Sequence, residues 1–125
     1  MPIDADDIRD VMWRDVGLFR DRQGLERALA RLDPAWQALD ARLHSGDPIA
    51  AGEWRTVSIL TVGRLIAAAA LRREESRGGH HRSDFPKRDD VHWKRRLRET
   101  RTGGVKGESE DDGGGAEGRE GRPRR

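Results

Sequence analysis

The sequence predicts an all-α fold: an up-down-up bundle of three helices, then an irregular C-terminal arm and a disordered tail. Three observations carry this expectation. Apolar residues recur at helical spacing in three stretches between residues 4 and 76. No stretch shows the apolar–polar alternation of a half-buried strand. Eight of the fifteen glycines lie beyond Arg101, in a segment without apolar periodicity. Residues 4–99 are therefore assigned to one helical domain and residues 100–125 to the tail.

The first helix is read over residues 4–19. Ile8, Val11, Met12, Val16 and Phe19 form its apolar stripe. Asp4 is placed to cap the first turn, and Ile3 and Ile8 hold the two positions of a hydrophobic staple. Asp6 and Asp7 sit where the helix dipole favours negative charge. The second helical region spans residues 21–44, with Leu25, Ala28, Leu29, Leu32, Trp36, Leu39 and Leu43 on a near-heptad seam. Asp33-Pro34 interrupts it, so a kink or a restart is expected there, with both halves facing the same partner. Residues 45–52, SGDPIAAG, read as a loop. The third helix runs from about Glu53 to Ser76, and Gly78-Gly79 is expected to stop it. Its middle is apolar almost all round, more than two neighbours of this size cover, which points to a missing partner surface. Residues 80–92 are polar and interrupted by Pro86; residues 93–99 read as a short basic turn or helix.

Composition narrows the function classes. The chain has 125 residues, 34% of them hydrophobic and 38% charged. Those fractions suit a small helical domain with a solvated face better than a rigid enzyme core. Net charge is only +2, and acidic and basic residues alternate closely, unlike the one-sided basic face of a nucleic-acid binder. There is no cysteine, which excludes disulfides, thiolate zinc sites and cysteine nucleophiles and fits a cytoplasmic location. The acidic, polar N-terminus is not a signal peptide. The longest apolar run, Val57 to Leu71, contains Arg64 and is short of the ~18 residues of a membrane span, so no membrane contact is expected.

No constellation of catalytic groups emerges. His80, His81 and His92 with Asp84, Asp89 and Asp90 match no metal-ligand spacing and read as polar surface or interface. Glu74 and Glu75 point about 100° apart on a helix and so cannot form an acid–base dyad. Gly78-Gly79 belongs to no phosphate-binding pattern. No serine sits in a nucleophile elbow. Trp93 with Lys94, Arg95 and Arg96 is a weak RNA-contact signal; a solvated basic end is the preferred reading. Of the four tryptophans, Trp36 lies on the seam. Trp13 lies beside the first stripe, Trp54 opens the third helix and Trp93 sits in a polar arm; such tryptophans want a surface to bury against.

One segment is more specific. ALRREESRGGHHRSDFPKRDDVHW resembles the signature near the C-terminus of the succinate dehydrogenase, fumarate reductase and L-aspartate oxidase flavoproteins. Ala70, Arg73, Glu75, Ser76, Arg77, Gly78, His80, Arg82, Asp84, Phe85, Pro86 and Asp89 occupy its fixed positions. IRDVMWRDVGLFRDRQGLERALARL is similar to the first two helices of the family, and Met12-Trp13 with Val16-Gly17 resembles its L-aspartate oxidase branch. The resemblance covers about residues 7–97. It departs at Ser58, where asparagine is frequent, and at Gly63, where alanine is usual and where glycine should loosen the helix by up to ~1 kcal/mol.

The resemblance implies a C-terminal helical domain that packs on a flavin-binding domain. It carries no catalytic, cofactor-binding or metal residue onto this sequence: FAD and the dicarboxylate belong to a Rossmann-like domain and a capping domain whose motifs are not here. The chain alone is expected neither to bind FAD nor to turn over substrate. Arg73, Glu75, Arg77, His80, Arg82, Asp84 and Phe85 are the residues expected at the interface, with Arg77 and Arg82 donating charge-assisted hydrogen bonds to the missing domain. The alternatives are the equivalent domain of a succinate dehydrogenase or fumarate reductase flavoprotein, and a binding module that touches RNA through its basic arm.

Overall fold

A computed structural model describes residues 1–101 and 104–109. Three α-helices and a single 3-10 turn make up the first compact unit, Met1–Lys87; the second unit begins at Arg88 and contains a two-stranded hairpin.

Helix α1 spans Ala5–Asp15. Asp4 caps it as expected, its Oδ1 accepting from the Asp7 amide at 2.8 Å. Ile3, Ile8, Val11 and Val16 are buried. The helix ends four residues before the expected boundary. At Gly17 the chain passes so close to the preceding turn that a Cβ would lie 2.6 Å from the Trp13 carbonyl oxygen. Arg20 then holds this exit by donating its Nε–H to the Val16 and Gly17 carbonyls. Phe19 consequently leaves the stripe and is exposed.

Helix α2 spans Arg22–Ser45 without a restart, Pro34 included. Proline removes one amide donor, but the seam of Leu25, Ala28, Leu32 and Leu39 is buried on both sides of it and holds the helix to its partners. Asp33 does not cap a second segment; it accepts from Arg64 Nε at 2.8 Å, and the Arg64 guanidinium lies over the Trp36 ring. Leu43, expected on the seam, is 40% exposed. Gly46, at φ 81°, supplies the left-handed residue that closes the helix.

The turn α3 starts from is the 3-10 segment Ala51–Glu53, and α3 itself spans Trp54–Arg72. Each of the three helices packs against the other two. Val57, Leu60, Gly63, Ala67 and Ala70 face the core. The absence of a side chain at Gly63 makes room for Met12, whose Sδ would stand 3.1 Å from a Cβ there. The opposite face is uncovered: Trp54, Val62, Leu65 and Ile66 are exposed. With its lead-in, the 22-residue stretch Ala51–Arg72 is long and apolar enough to cross a membrane by length and composition, which corrects the shorter count from Val57 to Leu71. Its buried small-residue face and the Arg64–Asp33 ion pair tie it to the helical unit.

The all-α expectation needs a second correction. Residues Arg95–Thr100 form β1, neither turn nor helix, and Gly104–Ser109, expected inside the tail, form β2. They pair antiparallel from Arg95 opposite Ser109 to Thr100 opposite Gly104. The fold is mostly helical with a small sheet. The remainder of the expected tail, residues 110–125, lies outside the described residues.

Candidate functional site

The candidate site is the segment after α3. The helix stops at Arg72 because its end is capped from a distance, not because of Gly78-Gly79. Arg82 Nη1–H donates to the carbonyls of Ala70 (3.0 Å), Leu71 (2.9 Å) and Arg73 (3.3 Å). These are the acceptors a helix C-terminus leaves without amide partners, and a cation there also answers the helix dipole. The other edge of the guanidinium forks onto Asp84: Nε to Oδ1 at 2.8 Å and Nη2 to Oδ2 at 2.7 Å. Phe85 covers the group, with its ring centre 5.1 Å from the guanidinium carbon. Arg82 is 0% exposed.

A second buried charge lies close by in sequence. Glu75, also 0% exposed, accepts from Arg73 Nη1 at 2.7 Å and from Arg77 Nε at 3.0–3.1 Å. Ser76 joins the halves of the segment: its Oγ accepts from the Arg82 amide at 2.9 Å and donates to the Phe85 carbonyl at 2.8 Å. The tip between them turns through Gly78, at φ 58°, while the Arg77 and His80 backbones exchange two hydrogen bonds of 2.8 and 3.0 Å.

The segment is then laced to the loop that follows α1. The Arg20 amide donates to the His81 carbonyl, and the Ser83 amide to the Arg20 carbonyl. The Arg22 amide donates to Asp84 Oδ2 at 3.1 Å. Phe19 meets the His81 ring edge-on at 5.4 Å. His80 bridges both sides. Arg20 Nη1 donates to its Nδ1 at 3.1 Å, so its proton sits on Nε2 and is donated to the Arg73 carbonyl.

The electrostatics follow from these contacts. The Arg82 hydrogen bonds pull the Asp84 carboxyl down from 3.8 to about 2, with help from the Arg22 amide. Burial lowers the His80 pKa from its ordinary 6.5, opposed by its bond to the Arg73 carbonyl and reinforced by the surrounding arginines. Asp84 is thus a fixed anion and His80 a neutral bridge, each already committed to partners.

All seven residues singled out from the sequence converge: Arg73, Glu75 and Arg77 on one buried carboxylate, Arg82, Asp84 and Phe85 on one buried guanidinium, and His80 between them and the loop. Arg82 and Glu75 are turned inward, so these two charges are spent inside the unit and Arg82 does not reach outward as expected. Sequence reasoning missed Phe19 and Arg22, which it read into the first and second helices, and Arg20, which falls between the two ranges; Gly17 was the available sign of an earlier turn. Among the described residues no three His, Asp or Glu side chains are grouped to hold a metal.

The residues do not fit FAD. A dinucleotide pyrophosphate is held by a glycine turn at a helix N-terminus. Gly78-Gly79 instead lies beyond a helix C-terminus, and no described helix starts after it to offer its first-turn amides to a phosphate. The described strands form only an antiparallel hairpin, with no strand–turn–helix unit.

Residues 5–106 match the family described as fumarate reductase flavoprotein C-term. The chain is 37% identical over 94 residues to an L-aspartate oxidase of Streptomyces coelicolor, covering 72% of this chain and 16% of that one. It is 44% identical over 84 residues to the L-aspartate oxidase of Caulobacter vibrioides, covering 67% of this chain and 14% of that one. A fumarate reductase flavoprotein subunit of Helicobacter pylori is 35% identical over 95 residues, covering 72% of this chain and 13% of the subunit. The chain therefore spans about 13–16% of the length of these relatives. With its three helices, its charged segment after α3 and a family match over most of its length, this chain belongs to the C-terminal domain family of the fumarate reductase flavoproteins.

Proposed function

We propose that this chain is the C-terminal helical domain of an FAD-dependent, L-aspartate-oxidase-like oxidoreductase of the cytoplasm, non-catalytic alone and seated on the flavin-bearing part of that enzyme. The observation that carries the reading is the inward commitment of the motif. Arg82 and Glu75, its most chemically capable groups, are fully buried and saturated by partners within the unit. Such a segment spends its two buried charges on shaping a surface. In the parent enzyme the reaction is the oxidation of L-aspartate to iminoaspartate, for quinolinate and NAD synthesis. Its chemistry belongs to residues outside this chain. The L-aspartate oxidase branch is favoured by Met12-Trp13 and Val16-Gly17, and by 44% identity to one of its members.

A fumarate reductase or succinate dehydrogenase parent is the second reading, supported by the 35% identity to the H. pylori subunit. One experiment tests docking and activity together. The full 125-residue chain is titrated by calorimetry into FAD-loaded S. coelicolor L-aspartate oxidase lacking its 94-residue matched stretch, and is assayed alone with FAD and L-aspartate. A one-to-one complex and no turnover by the chain alone are expected. Absence of a complex, or turnover by the chain alone, overturns the proposal.

A further inference from the structure

The unit buries three charged side chains, Asp15, Glu75 and Arg82, and exposes three large apolar ones at one corner. Trp13 is 83% exposed, Leu18 76% and Phe19 75%. With Arg14 and Gly17 they line a cleft of about 280 Å³ at the end of α1. Three such residues together are the composition of an interface centre, where tryptophan and arginine concentrate binding energy, and they are more than the scattered apolar residues of an ordinary surface.

The corner is also held rigid. Gly17 brings the backbone against the Trp13 carbonyl, and Arg20 ties the Val16 and Gly17 carbonyls from behind. The segment from His81 to Asp84 hydrogen-bonds to Arg20 and Arg22, and His81 braces Phe19 edge-on. A corner held in place before binding loses little conformational entropy on docking.

We infer that Trp13, Leu18 and Phe19 are the anchor by which this domain seats in an apolar, carboxylate-rimmed pocket on the flavin-bearing part of its parent flavoprotein. The inference rests on the function proposed above and adds the surface that performs the docking. Two further observations choose this occupant. More than four fifths of each matched relative lies outside the stretch this chain covers, so the family pairs this domain with a much larger body. Arg14 is the one charged side chain lining the cleft and is 65% exposed. Its neighbour Asp15 is buried and shared between two guanidiniums, Arg14 Nε at 3.6 Å and, more closely, Arg27 Nη2 at 2.6 Å and Nε at 3.2 Å; two cations on one carboxylate leave the corner a positive rim that a further carboxylate complements. A two-fold contact with a second copy would bring the same positively rimmed corner from both partners to one interface.

The test compares three forms of the full chain by calorimetry against FAD-loaded S. coelicolor L-aspartate oxidase lacking its matched stretch: the natural sequence, the triple variant W13S/L18S/F19S, and V62S/L65S/I66S on the exposed face of α3. Sedimentation gives the oligomeric state of each, and circular dichroism confirms that each is folded. The expected result is at least hundred-fold weaker binding for the corner variant, with its thermal unfolding unchanged, and near-natural binding for the α3 variant. Binding retained by the corner variant, or lost only by the α3 variant, overturns the inference while the proposed function stands. Dimers of the natural chain that the corner variant abolishes overturn it in favour of a second copy. A natural chain that does not bind overturns the proposed function and the inference with it.

Discussion

Replacing Arg82 by methionine probes the internal scaffold directly. The change keeps much of the aliphatic stem and deletes five donated hydrogen bonds, two to α3 carbonyls, one to the Arg73 carbonyl just beyond the helix and two to Asp84. Breaking a fully buried, paired charge costs about 3–5 kcal/mol, because the stranded groups lose their partner without regaining water. Asp84 keeps 29% of its side-chain exposure and is partly rehydrated, which places the loss nearer ~3 kcal/mol. A small domain is stable by only ~5–15 kcal/mol, so this is a large share. At ~4–8 °C per kcal/mol the melting temperature should fall by roughly 12–24 °C. Arg82→Lys keeps the charge, but one ammonium cannot span Asp84 and the helix end together, so an intermediate loss is expected. Arg55→Met, at an exposed site on α3, serves as the control and should lie within ~0.5 kcal/mol of the natural chain. Thermal and urea unfolding followed by far-ultraviolet circular dichroism measure all three. An Arg82→Met protein that melts within about 2 °C of the natural chain would refute the scaffold role assigned to this residue.

Three further predictions follow from the same contacts. The folded-state Asp84 pKa of about 2 lies below its ordinary 3.8, so its contribution is present above about pH 4 and lost as pH falls toward 2; Asp84→Asn should flatten acid unfolding in that window and cost roughly 2 kcal/mol at neutral pH, read from urea melts. The His80 pKa is lowered, so the folded unit favours neutral imidazole; stability should decline as pH drops through 6.5, and NMR titration should give His80 a midpoint below 6.5, with a midpoint above it contradicting the Arg20–His80–Arg73 bridge. Gly17→Ala sets a Cβ 2.6 Å from the Trp13 carbonyl and should destabilise the unit by about 1–3 kcal/mol in chemical denaturation; a neutral result would mean the α1 exit is not held as described.

The helices were legible because each carries an apolar stripe that local spacing reveals. The C-terminal ends of α1 and α3 were not, because groups beyond each helix set them. The stripe of α1 runs on in the sequence to Phe19, but Gly17 and the Arg20 side chain turn the chain earlier and leave Phe19 exposed. The glycine pair after α3 looked like its stop; the stop is Arg82, a dozen residues beyond Ala70, and no local pattern records a guanidinium folding back on a helix end. Pro34 looked like a break, yet a seam buried on both sides of it keeps α2 continuous. The hairpin was invisible because β1, RRLRET, is polar on both faces and shows none of the alternation that burial imposes. The charged motif was recognised as a unit from its residues. Its direction was not, since the spacing of Arg82 and Asp84 does not say whether the fork faces outward or in.

Hydrogen exchange of the full chain, alone and with the flavin-bearing part of the S. coelicolor enzyme, tests most directly whether this is a docking domain built around that inward motif. The amides of Ser76, Arg82 and Ser83 should exchange slowly already in the isolated chain, since the scaffold is complete without a partner. On mixing, new protection should appear around residues 13–20 and 81–85. Fast exchange of those motif amides in the isolated chain, together with no new protection on mixing, would contradict both halves of that claim.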